Sequence, residues 1–408
     1  TIELDAARAE NVAFQAAVTY LRAAGDPETV EVSAACDGVA GVAPRVRLVG
    51  TVPVPHLNTA TPEDELDGIG HVPGYVPDPL FDRGATRIAS GETAAYWVSF
   101  RIPADAAPGQ VAIPVRIMVD GKQQAALAAR LRIWDAAVPP RTSLRVTHWF
   151  YSDALLDWYR LEAFEPAYWK ILRPYVENVV AHGQDTLYVP MLTPPLDGVK
   201  RPTQLLAVKK TGAAKGRKYR FDWSDVKRYV DVAKKAGIGH FEWTHLFTQW
   251  GVKNAIRVYQ GQGRDEKLLW PVSTKATSPT YRGFLSELLP ELERFLTVEK
   301  IADRSFFHVS DEPHGDEHAA NYRKARALLA GIAPWMKVMD ALSELRFGTE
   351  GLTDTPIPSI SVTRSFVDAG IPCWTYFCCG PRGAYLNRLM DTPLPKIRMS
   401  GWLFRRFG

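Results

Sequence analysis

The chain has 408 residues, of which 46% are hydrophobic and 23% are charged. This is the composition of an ordinary folded protein, and the length exceeds what one compact core usually needs. Lys and Arg number 49 against 45 Asp and Glu, an excess too small to favour a nucleic-acid partner. No apolar run approaches the roughly 18 residues that cross a membrane. We therefore expect two domains, no membrane span and no nucleic-acid partner.

Localisation stays open at this level. Residues 1–15 contain no basic region followed by an apolar stretch, so they are not expected to act as a signal peptide. A secreted or periplasmic protein is one alternative if a leader preceded the numbered residues. The four cysteines form no CxxC pair that would indicate zinc, and the oligomeric state is not predicted.

Residues 1–138 are predicted to form an all-β sandwich that serves as an accessory domain. Short, partly alternating segments between turn residues are typical of strands, and they occur at 30–33, 45–49 and 96–102. The segment 111–119 leads through Asp120-Gly121 into a second strand ending near Trp134. Asp-Gly favours a tight hairpin because both central residues need a positive φ. Short strands at this spacing indicate a sandwich, and we interpret it as a support for the domain that follows.

The boundary is predicted at 137–141, where Pro139 and Pro140 are consecutive. Paired prolines resist both helix and sheet, so this segment should be a stiff linker. The long proline-rich stretch 53–82 receives no assignment.

Beyond the linker, predicted strands and helices alternate. Strands are expected at 143–151, 186–192, 240–246, 305–310, 337–339, 360–363 and 373–378, with helices at 166–181, 223–236, 281–296 and 317–330. This alternation predicts a parallel sheet, and so many strands favour a closed (β/α)8 TIM-type barrel over 141–408. We count about seven strands where the barrel needs eight. The last helix, about 396–407, should lead into an eighth strand that this chain is expected to lack.

Two adjacent carboxyl groups follow one of these strands. In a TIM-type barrel, catalytic residues lie at the carboxyl ends of the strands, and the strand 305–310 runs directly into Asp311-Glu312-Pro313. Neighbouring carboxyl groups raise one another's pKa, so one of them can stay protonated near neutrality, as a general acid requires. Residue types alone leave open that both merely cap the next helix. The position at a strand end favours catalysis.

Aromatic side chains near strand ends are candidates for stacking on a sugar ring. We favour Trp149, Tyr151 and Tyr376, because they lie latest in their strands. His245 is a further candidate at the end of another strand. Any one of them alone is more readily a core or wall residue than a sugar contact; this applies equally to Tyr188, Trp243 and Trp250.

A metal site is not expected. His314 and His318 are spaced to share one face of a helix, but no third ligand accompanies them in the sequence and the arrangement is not His-Glu-x-x-His.

The segment His308-Val309-Ser310-Asp311-Glu312-Pro313 resembles the catalytic motif of glycoside hydrolase family 123, whose known members are β-N-acetylgalactosaminidases. The stretch 374–381, Trp-Thr-Tyr-Phe-Cys-Cys-Gly-Pro, also resembles that family, and the sandwich is similar to its accessory domain. Further matching positions are Asn387, Arg388, Arg398 and Trp402. The resemblance implies a hydrolase that removes terminal β-linked N-acetylgalactosamine from a glycan and needs no cofactor.

The resemblance also implies a substrate-assisted, retaining mechanism. The 2-acetamido oxygen of the sugar attacks the anomeric carbon to give an oxazolinium, so no enzyme nucleophile is needed. By position, Glu312 protonates the leaving oxygen and then activates water, while Asp311 orients the acetamido N–H. Tyr376 would hydrogen-bond the acetamido carbonyl, and Asn387 would contact the substrate. Adjacent strand residues point to opposite faces, so both carboxylates serve one site only if the strand breaks here, which Pro313 favours.

Two alternatives stay open. One is a glycosidase of the same architecture that acts on a different sugar, and the other is a non-catalytic carbohydrate-binding protein. The sequence does not choose among glycolipid, glycoprotein and polysaccharide as the natural glycan.

Overall fold

The computed structural model describes residues 2–38, 41–55, 74–139, 144–199, 202–211, 218–261, 266–390 and 392–407. The chain divides into two compact units, Thr1–Thr142 and Ser143–Gly408. Pro140 and Arg141 of the predicted linker lie outside the described residues. None of the helices in the described part is long and apolar enough to cross a membrane.

The first unit is built from strands. In chain order these are β1 (Ile2–Arg8), β2 (Asn11–Thr19), β3 (Thr29–Cys36), β4 (Arg45–Val54), β5 (Gly74–Phe81), β6 (Ala85–Ala89), β7 (Thr93–Arg101), β8 (Gly109–Val119) and β9 (Lys122–Ala137). One sheet has the order β1-β9-β8-β3-β6 and the other β2-β7-β4-β5. Their pairings are antiparallel except that β1 runs parallel to β9. The predicted mostly-β character of this region is confirmed.

The two sheets share one apolar core. Along β7, buried and less buried residues alternate, so Tyr96, Val98 and Phe100 point the same way. They pack in one cluster with Val32 of β3 and Ile113 of β8. The hydroxyl of buried Tyr96 donates to the carbonyl of Val32 at 2.7 Å, which joins the sheets by a satisfied polar contact.

The Asp-Gly hairpin forms as predicted. Asp120 has φ 45° and Gly121 has φ 77°, the left-handed conformations that a tight turn between β8 and β9 requires. Strands β1 and β2 were not predicted; β5 lies within the stretch 53–82 that was left unassigned, and β6 follows it. The part of that stretch at 56–73 lies outside the described residues.

The second unit alternates helices and strands. Its elements are α1 (Ser152–Tyr159), α2 (Pro166–Ala181), β10 (Thr186–Val189), β11 (Ala207–Lys210), β12 (Tyr219–Asp222), α3 (Ser224–Ala236), β13 (His240–Trp243), β14 (Tyr259–Gln260), β15 (Lys267–Leu268), α4 (Pro279–Val298), β16 (Ser305–Phe307), α5 (Gly315–Ile332), β17 (Met339–Ala341), α6 (Arg346–Thr349), β18 (Thr355–Ile357), α7 (Thr363–Asp368) and α8 (Leu394–Phe407). A 3-10 turn at Ala302–Arg304 precedes β16.

The main strands run parallel and follow chain order. One sheet is β10-β13-β16 and another is β17-β18, and every pair in them is parallel. Single parallel bridges extend the series from Thr147 to Thr186, from Phe307 to Val338, and from Ser359 to Tyr376. In the described residues these sheets do not close on themselves, so the closed TIM-type barrel of the sequence prediction is not found as a continuous hydrogen-bonded ring. Strands β11, β12, β14 and β15 form a small separate sheet.

The helices bury apolar stripes against these strands. Helix α4 begins at Pro279, after Ser278 caps it by accepting the Tyr281 N–H, and its buried face includes Leu285 and Leu292. Helix α3 ends at Gly237, whose φ of 106° suits a C-terminal stop. The predicted bounds 166–181 coincide with α2.

Several predicted strands are shorter or displaced. The segment 143–151 makes a single described bridge, at Thr147, because the Val146 N–H turns to the Asp185 side chain at 2.8 Å. The strand predicted at 360–363 is wrong: Ser359 accepts the N–H groups of Val362 and Thr363 in a turn, and the strand is β18. The strand at 337–339 is displaced to β17, and the segment 373–378 makes a described bridge at Tyr376.

The hairpin supplies a stability test. A Cβ added at Gly121 would meet nothing within 4 Å, but the residue has φ +77°, so Gly121→Ala should lower the free energy of unfolding by about 1 kcal/mol through backbone strain alone. Calorimetry should show the unfolding transition that includes this hairpin moving down by a few degrees. Gly84→Ala is the matched control, because a Cβ there also meets nothing and no positive φ is involved. Equal effects of the two substitutions would contradict this account.

Candidate active site

The chain leaves the sheet before the two acidic residues. Strand β16 ends at Phe307 rather than continuing to 310, because the N–H groups of Val309 and Ser310 donate to the carboxylate of Asp340, at 3.1 and 3.3 Å. Glu312 then has φ 47°, and its N–H donates to the carbonyl of Ala341 at 2.9 Å. The side chains therefore stop alternating between the two faces of the strand at Glu312, which is where Asp311 and Glu312 need this break in order to serve one site.

Asp311 is buried, with a relative exposure of 9%. One carboxylate oxygen, Oδ2, accepts a hydrogen bond from Gln249 Nε2 at 3.1 Å, and its carbonyl accepts the N–H of Trp250 at 2.8 Å. Burial, followed by the negative charge of Glu312, raises the pKa of Asp311 to about 7, while the positive charge of His308 acts in the opposite direction. The carboxyl group is thus poised between its charged and neutral forms near neutrality.

Glu312 lies against Tyr376. The hydroxyl of Tyr376 donates to Oε1 of Glu312 in a short hydrogen bond across 64 residues of sequence. Burial raises the pKa of Tyr376, and its hydrogen bond to Glu312 and the charges of Glu312 and Asp311 raise it further. The phenol therefore stays protonated and remains a donor. The segments 308–313 and 374–381, which are distant in the sequence, therefore meet here.

A group of aromatic rings lies beside Asp311. The ring of Trp149 lies 5.5 Å from that of Tyr188 and 5.2 Å from that of His245, and Tyr151 meets Tyr188 edge to face at 6.5 Å. Burial raises the pKa of Tyr151, and of the neighbouring charges that of Asp311 raises it most.

His245 is held in place by a neighbour. Its Nδ1 lies 3.0 Å from the hydroxyl of Tyr188. Burial lowers the pKa of His245 well below its ordinary value, and the charge of His308 adds to this effect, so the imidazole is neutral. The ring of His245 also stacks on that of His308 at 4.3 Å.

Asn387 makes its hydrogen bonds within its own loop. Its Oδ1 accepts from the N–H of Leu389 at 3.0 Å and from the hydroxyl of Thr392 at 2.5 Å. The next residue, Arg388, hydrogen-bonds His148, the neighbour of Trp149. The structure therefore brings this loop to the first parallel segment, and among the described contacts none joins Asn387 itself to Asp311 or Glu312.

The remaining sequence candidates are a core residue and residues next to the acidic pair: the N–H of Trp250 donates to the carbonyl of Asp311, and Nδ1 of His314 lies 3.2 Å from the carbonyl of Glu312. Trp243 is a core residue with 1% exposure, and the Trp250 side chain is 46% exposed. The rings of His314 and His318 lie 4.5 Å apart, and burial followed by the charge of His314 lowers the pKa of His318.

Three buried polar residues received no role from the sequence, although His308 begins the motif quoted there: Glu242, His308 and Asp340. Each has 0% exposure. They lie on or directly after β13, β16 and β17, and a charged residue inside an otherwise apolar predicted strand was the signal available for them.

One group in the described part of the chain has the composition of a metal site. Ligand atoms of His245, His308 and Asp340 lie within 4.8 Å of one another. The carboxylate of Asp340, however, already accepts from the N–H groups of Val309 and Ser310, from the hydroxyl of Tyr322 at 2.5 Å, and faces His308 Nδ1 at 3.3 Å. Four donors occupy the two oxygens, so we interpret the group as a hydrogen-bonded cluster.

An acidic pair at a parallel strand end, beside a group of aromatic rings, is typical of enzymes that cleave glycosidic bonds. Residues 149–408 match the model of the glycoside hydrolase 123 catalytic domain. This match covers more than half of the chain, which therefore belongs to glycoside hydrolase family 123 and is a glycosidase. No match was found among curated proteins.

A solved structure with the same fold is a family 123 glycoside hydrolase from Clostridium perfringens, described for glycolipid glycan hydrolysis. It has a TM-score of 0.73 at 12% identity, covering 100% of this chain and 72% of that chain. A family 5 xyloglucanase from Bacteroides ovatus has a TM-score of 0.25 at 9% identity, over 92% of this chain and 70% of its own. The likeness to the xyloglucanase is too low to support an argument.

The raised pKa of Asp311 makes a prediction about stability. With a pKa of about 7 in the folded protein against an ordinary 3.8, the carboxyl group stabilises the fold below about pH 4, and this contribution is lost as the pH rises through 7. Asp311→Asn should therefore raise the free energy of unfolding at pH 8, by at most about 4 kcal/mol, and change it little at pH 4.

Thermal unfolding at both pH values measures this difference. Glu162→Gln is the control for the loss of one negative charge, since Glu162 is exposed. An Asp311→Asn variant that is less stable than the wild type at pH 8 would show that Asp311 is not strained by burial.

Proposed function

We propose that this glycosidase removes terminal β-linked N-acetylgalactosamine by a retaining mechanism in which the 2-acetamido group of the sugar is the nucleophile. The observation that carries the proposal is the pairing of Asp311 and Glu312 beside Tyr376, within a sequence motif that resembles that of β-N-acetylgalactosaminidases. Residues 141–408 would be the catalytic domain and 1–138 an accessory domain.

Glu312 is proposed as the general acid and base. It protonates the leaving oxygen as the bond to the anomeric carbon breaks, and its carboxylate then accepts a proton from the water that opens the oxazolinium. The short hydrogen bond from Tyr376 to Oε1 fixes the orientation of the carboxyl group and leaves the second oxygen for this proton transfer.

Asp311 is proposed to hold the acetamido group. As a carboxylate it accepts a hydrogen bond from the acetamido N–H, which orients the carbonyl oxygen for attack, and it stabilises the positive charge that develops on the oxazolinium. A buried anion does this more strongly than an exposed one, because little water screens it. With a pKa of about 7, Asp311 is protonated at acid pH and cannot play this part there.

The aromatic residues are proposed to bind the sugar. Trp149 and Tyr151 offer ring faces to the apolar side of a pyranose. Tyr376 stays a proposed donor to the acetamido carbonyl, for which its hydroxyl proton would have to leave Glu312 Oε1. His245 is held by Tyr188 and has 0% exposure, so a sugar contact would require the rings in front of it to move. Asn387 stays a proposed substrate contact, for which a movement of its loop would be required because its Oδ1 is already engaged.

We also propose that the parallel strands belong to a TIM-type barrel. Seven parallel segments in the described residues follow one another in chain order, from Thr147 through β10, β13, β16, β17 and β18 to Tyr376. This order supports a barrel, in which neighbouring strands are consecutive in the chain.

The natural glycan is proposed to be a glycolipid arm. This rests on the described activity of the Clostridium perfringens relative in glycolipid glycan hydrolysis. Glycoprotein and polysaccharide arms are the alternatives that a substrate survey would distinguish.

Turnover of 4-nitrophenyl β-N-acetylgalactosaminide, compared with the glucosaminide and galactoside, tests the function. Hydrolysis of the N-acetyl sugars only is expected, and Glu312→Gln should lower kcat by about 10^3-fold or more while leaving sugar binding intact, because the amide can neither donate a proton to the leaving oxygen nor accept one from the water that opens the oxazolinium. Glu317→Gln, an exposed position on the adjoining helix, should retain activity.

Two results would go against the proposal. Hydrolysis of the galactoside at a rate equal to that of the N-acetyl sugars would remove the need for an acetamido nucleophile. Unchanged turnover in Glu312→Gln would exclude Glu312 as the general acid and base and would mean that another residue has this role.

A further inference from the structure

A buried array of charged groups lies beneath the proposed site. Glu242, His308 and Asp340 belong to three neighbouring parallel segments, and each has 0% exposure. His308 lies between the two carboxylates: Nδ1 is 3.3 Å from Oδ1 of Asp340 and Nε2 is 3.9 Å from Oε1 of Glu242. The first contact is a hydrogen bond. The second is too long for a hydrogen bond, and it is an ionic contact when His308 is protonated.

Asp340 is attached to the backbone that presents the acidic pair. It accepts the N–H groups of Val309 and Ser310, the two residues before Asp311, and the hydroxyl of Tyr322. Its neighbour Ala341 accepts the N–H of Glu312 at 2.9 Å. Strand β17 therefore fixes the chain on both sides of Asp311.

Glu242 is attached to the aromatic wall. Its Oε2 accepts from the indole Nε1 of Trp149 at 2.9 Å and from the hydroxyl of Thr147 at 2.8 Å. The hydrogen bond to Nε1 sets the plane of the indole, which in turn lies against Tyr188 and His245.

The charges of the array favour a cationic His308. Buried charges are costly unless they are paired. A protonated His308 between the carboxylates of Glu242 and Asp340 gives each of these three buried groups an opposite charge. The groups that face His308 are Glu242, Asp340 and Asp311, together with the neutral His245 ring at 4.3 Å and the Tyr188 ring at 6.3 Å. Burial alone would lower the pKa of His308, but the hydrogen bond to Asp340 and the surrounding negative charges raise it overall.

We propose that Glu242, His308 and Asp340 act as one set of positioning residues. Asp340 fixes the backbone that carries Asp311 and Glu312, Glu242 fixes the indole of Trp149, and a cationic His308 joins the two and favours the carboxylate form of Asp311. The proposal rests on the proposed function for the roles of Trp149 and Asp311, whereas the charge state of the array is independent of it.

The charge state is tested without any substrate. Protein with isotope-labelled histidine is examined by NMR across pH 5–9 in the wild type and in Glu242→Gln. A doubly protonated imidazole at pH 6 is expected for His308, assigned as the signal that responds to Glu242→Gln, and this substitution should move its titration to lower pH. The proposed charge state would be contradicted if the His308 imidazole is neutral at pH 6, or if no histidine titration changes in Glu242→Gln.

The positioning role is tested by kinetics on any glycoside that the wild type hydrolyses. Glu242→Leu, which removes the acceptor of the Trp149 indole N–H, should raise KM by about 10-fold by releasing the indole, and Asp340→Asn should lower kcat by about 100-fold by displacing the acidic pair. In Glu242→Gln the acid limb of the pH profile should move to higher pH, because a neutral His308 no longer stabilises the carboxylate of Asp311.

The matched control is Glu287→Gln. Glu287 also holds the backbone in place, because its carboxylate accepts the N–H groups of Lys218 and Tyr219 at 3.1 and 3.0 Å. It lies on α4 next to β12 of the small separate sheet, away from the proposed site. The positioning role is refuted, and the residues are only structural, if Glu242→Leu and Asp340→Asn lose stability but keep the KM and kcat of Glu287→Gln, and if Glu242→Gln keeps its pH profile. Tyr322→Phe, which removes a single donor to Asp340, replaces Asp340→Asn if that variant does not fold.

Failure of the proposed function would be recognised separately. A wild type that neither hydrolyses nor binds N-acetylgalactosaminides overturns the function and, with it, the roles given to Trp149 and Asp311. The NMR titration still decides whether the charged array exists.

Discussion

The site depends on the left-handed backbone at Glu312. Two consecutive residues of a regular strand point to opposite faces, so Asp311 and Glu312 could not both influence Tyr376 if β16 continued through them. The structure has φ 47° at Glu312, a conformation that costs on the order of 1 kcal/mol or more for a residue other than glycine. The hydrogen bonds of β17 to Val309, Ser310 and Glu312 offset that strain.

The two carboxyl groups have different surroundings, and this difference suits different roles. Asp311 is buried, with a hydrogen bond from Gln249 and with His308 as the positive charge acting on it. Glu312 is partly exposed and receives a hydrogen bond from Tyr376. A group that stabilises developing positive charge benefits from burial, whereas a group that exchanges protons with a leaving group and then with water must be reachable from solvent.

The sequence predicted the acidic pair because the carboxyl ends of parallel strands lie on the same side of the fold, and Asp311 and Glu312 follow one of these ends. It also predicted Tyr376 from its position late in a strand, and these residues meet across 64 positions. Helix bounds followed from strong periodicity, and α2 agrees residue for residue. The periodicity of a helix does not depend on distant partners, which explains why the bounds of α2 were predicted correctly.

Other features could not be read from local pattern. Strand β16 is short because the side chain of Asp340, 30 residues away, replaces the ladder partner of Ser310. The strand expected at 360–363 became a turn because the carbonyl of Ser359 captures two N–H groups. Glu242 was overlooked although a lone carboxylate among Phe241 and Trp243 is unusual in a buried strand. The role of Glu242 follows only from the structure, in which its carboxylate accepts the indole N–H of Trp149.

The central claim is that the sugar's own acetamido oxygen attacks the anomeric carbon. The most direct measurement is kcat for a series of 4-nitrophenyl N-acylgalactosaminides in which the acetyl methyl group carries zero, one, two or three fluorine atoms. Fluorine withdraws electrons from the carbonyl oxygen and weakens it as a nucleophile, so the account predicts a steep, progressive fall in kcat along the series. A kcat that is insensitive to fluorination would contradict it and would require a nucleophile from the protein or from water.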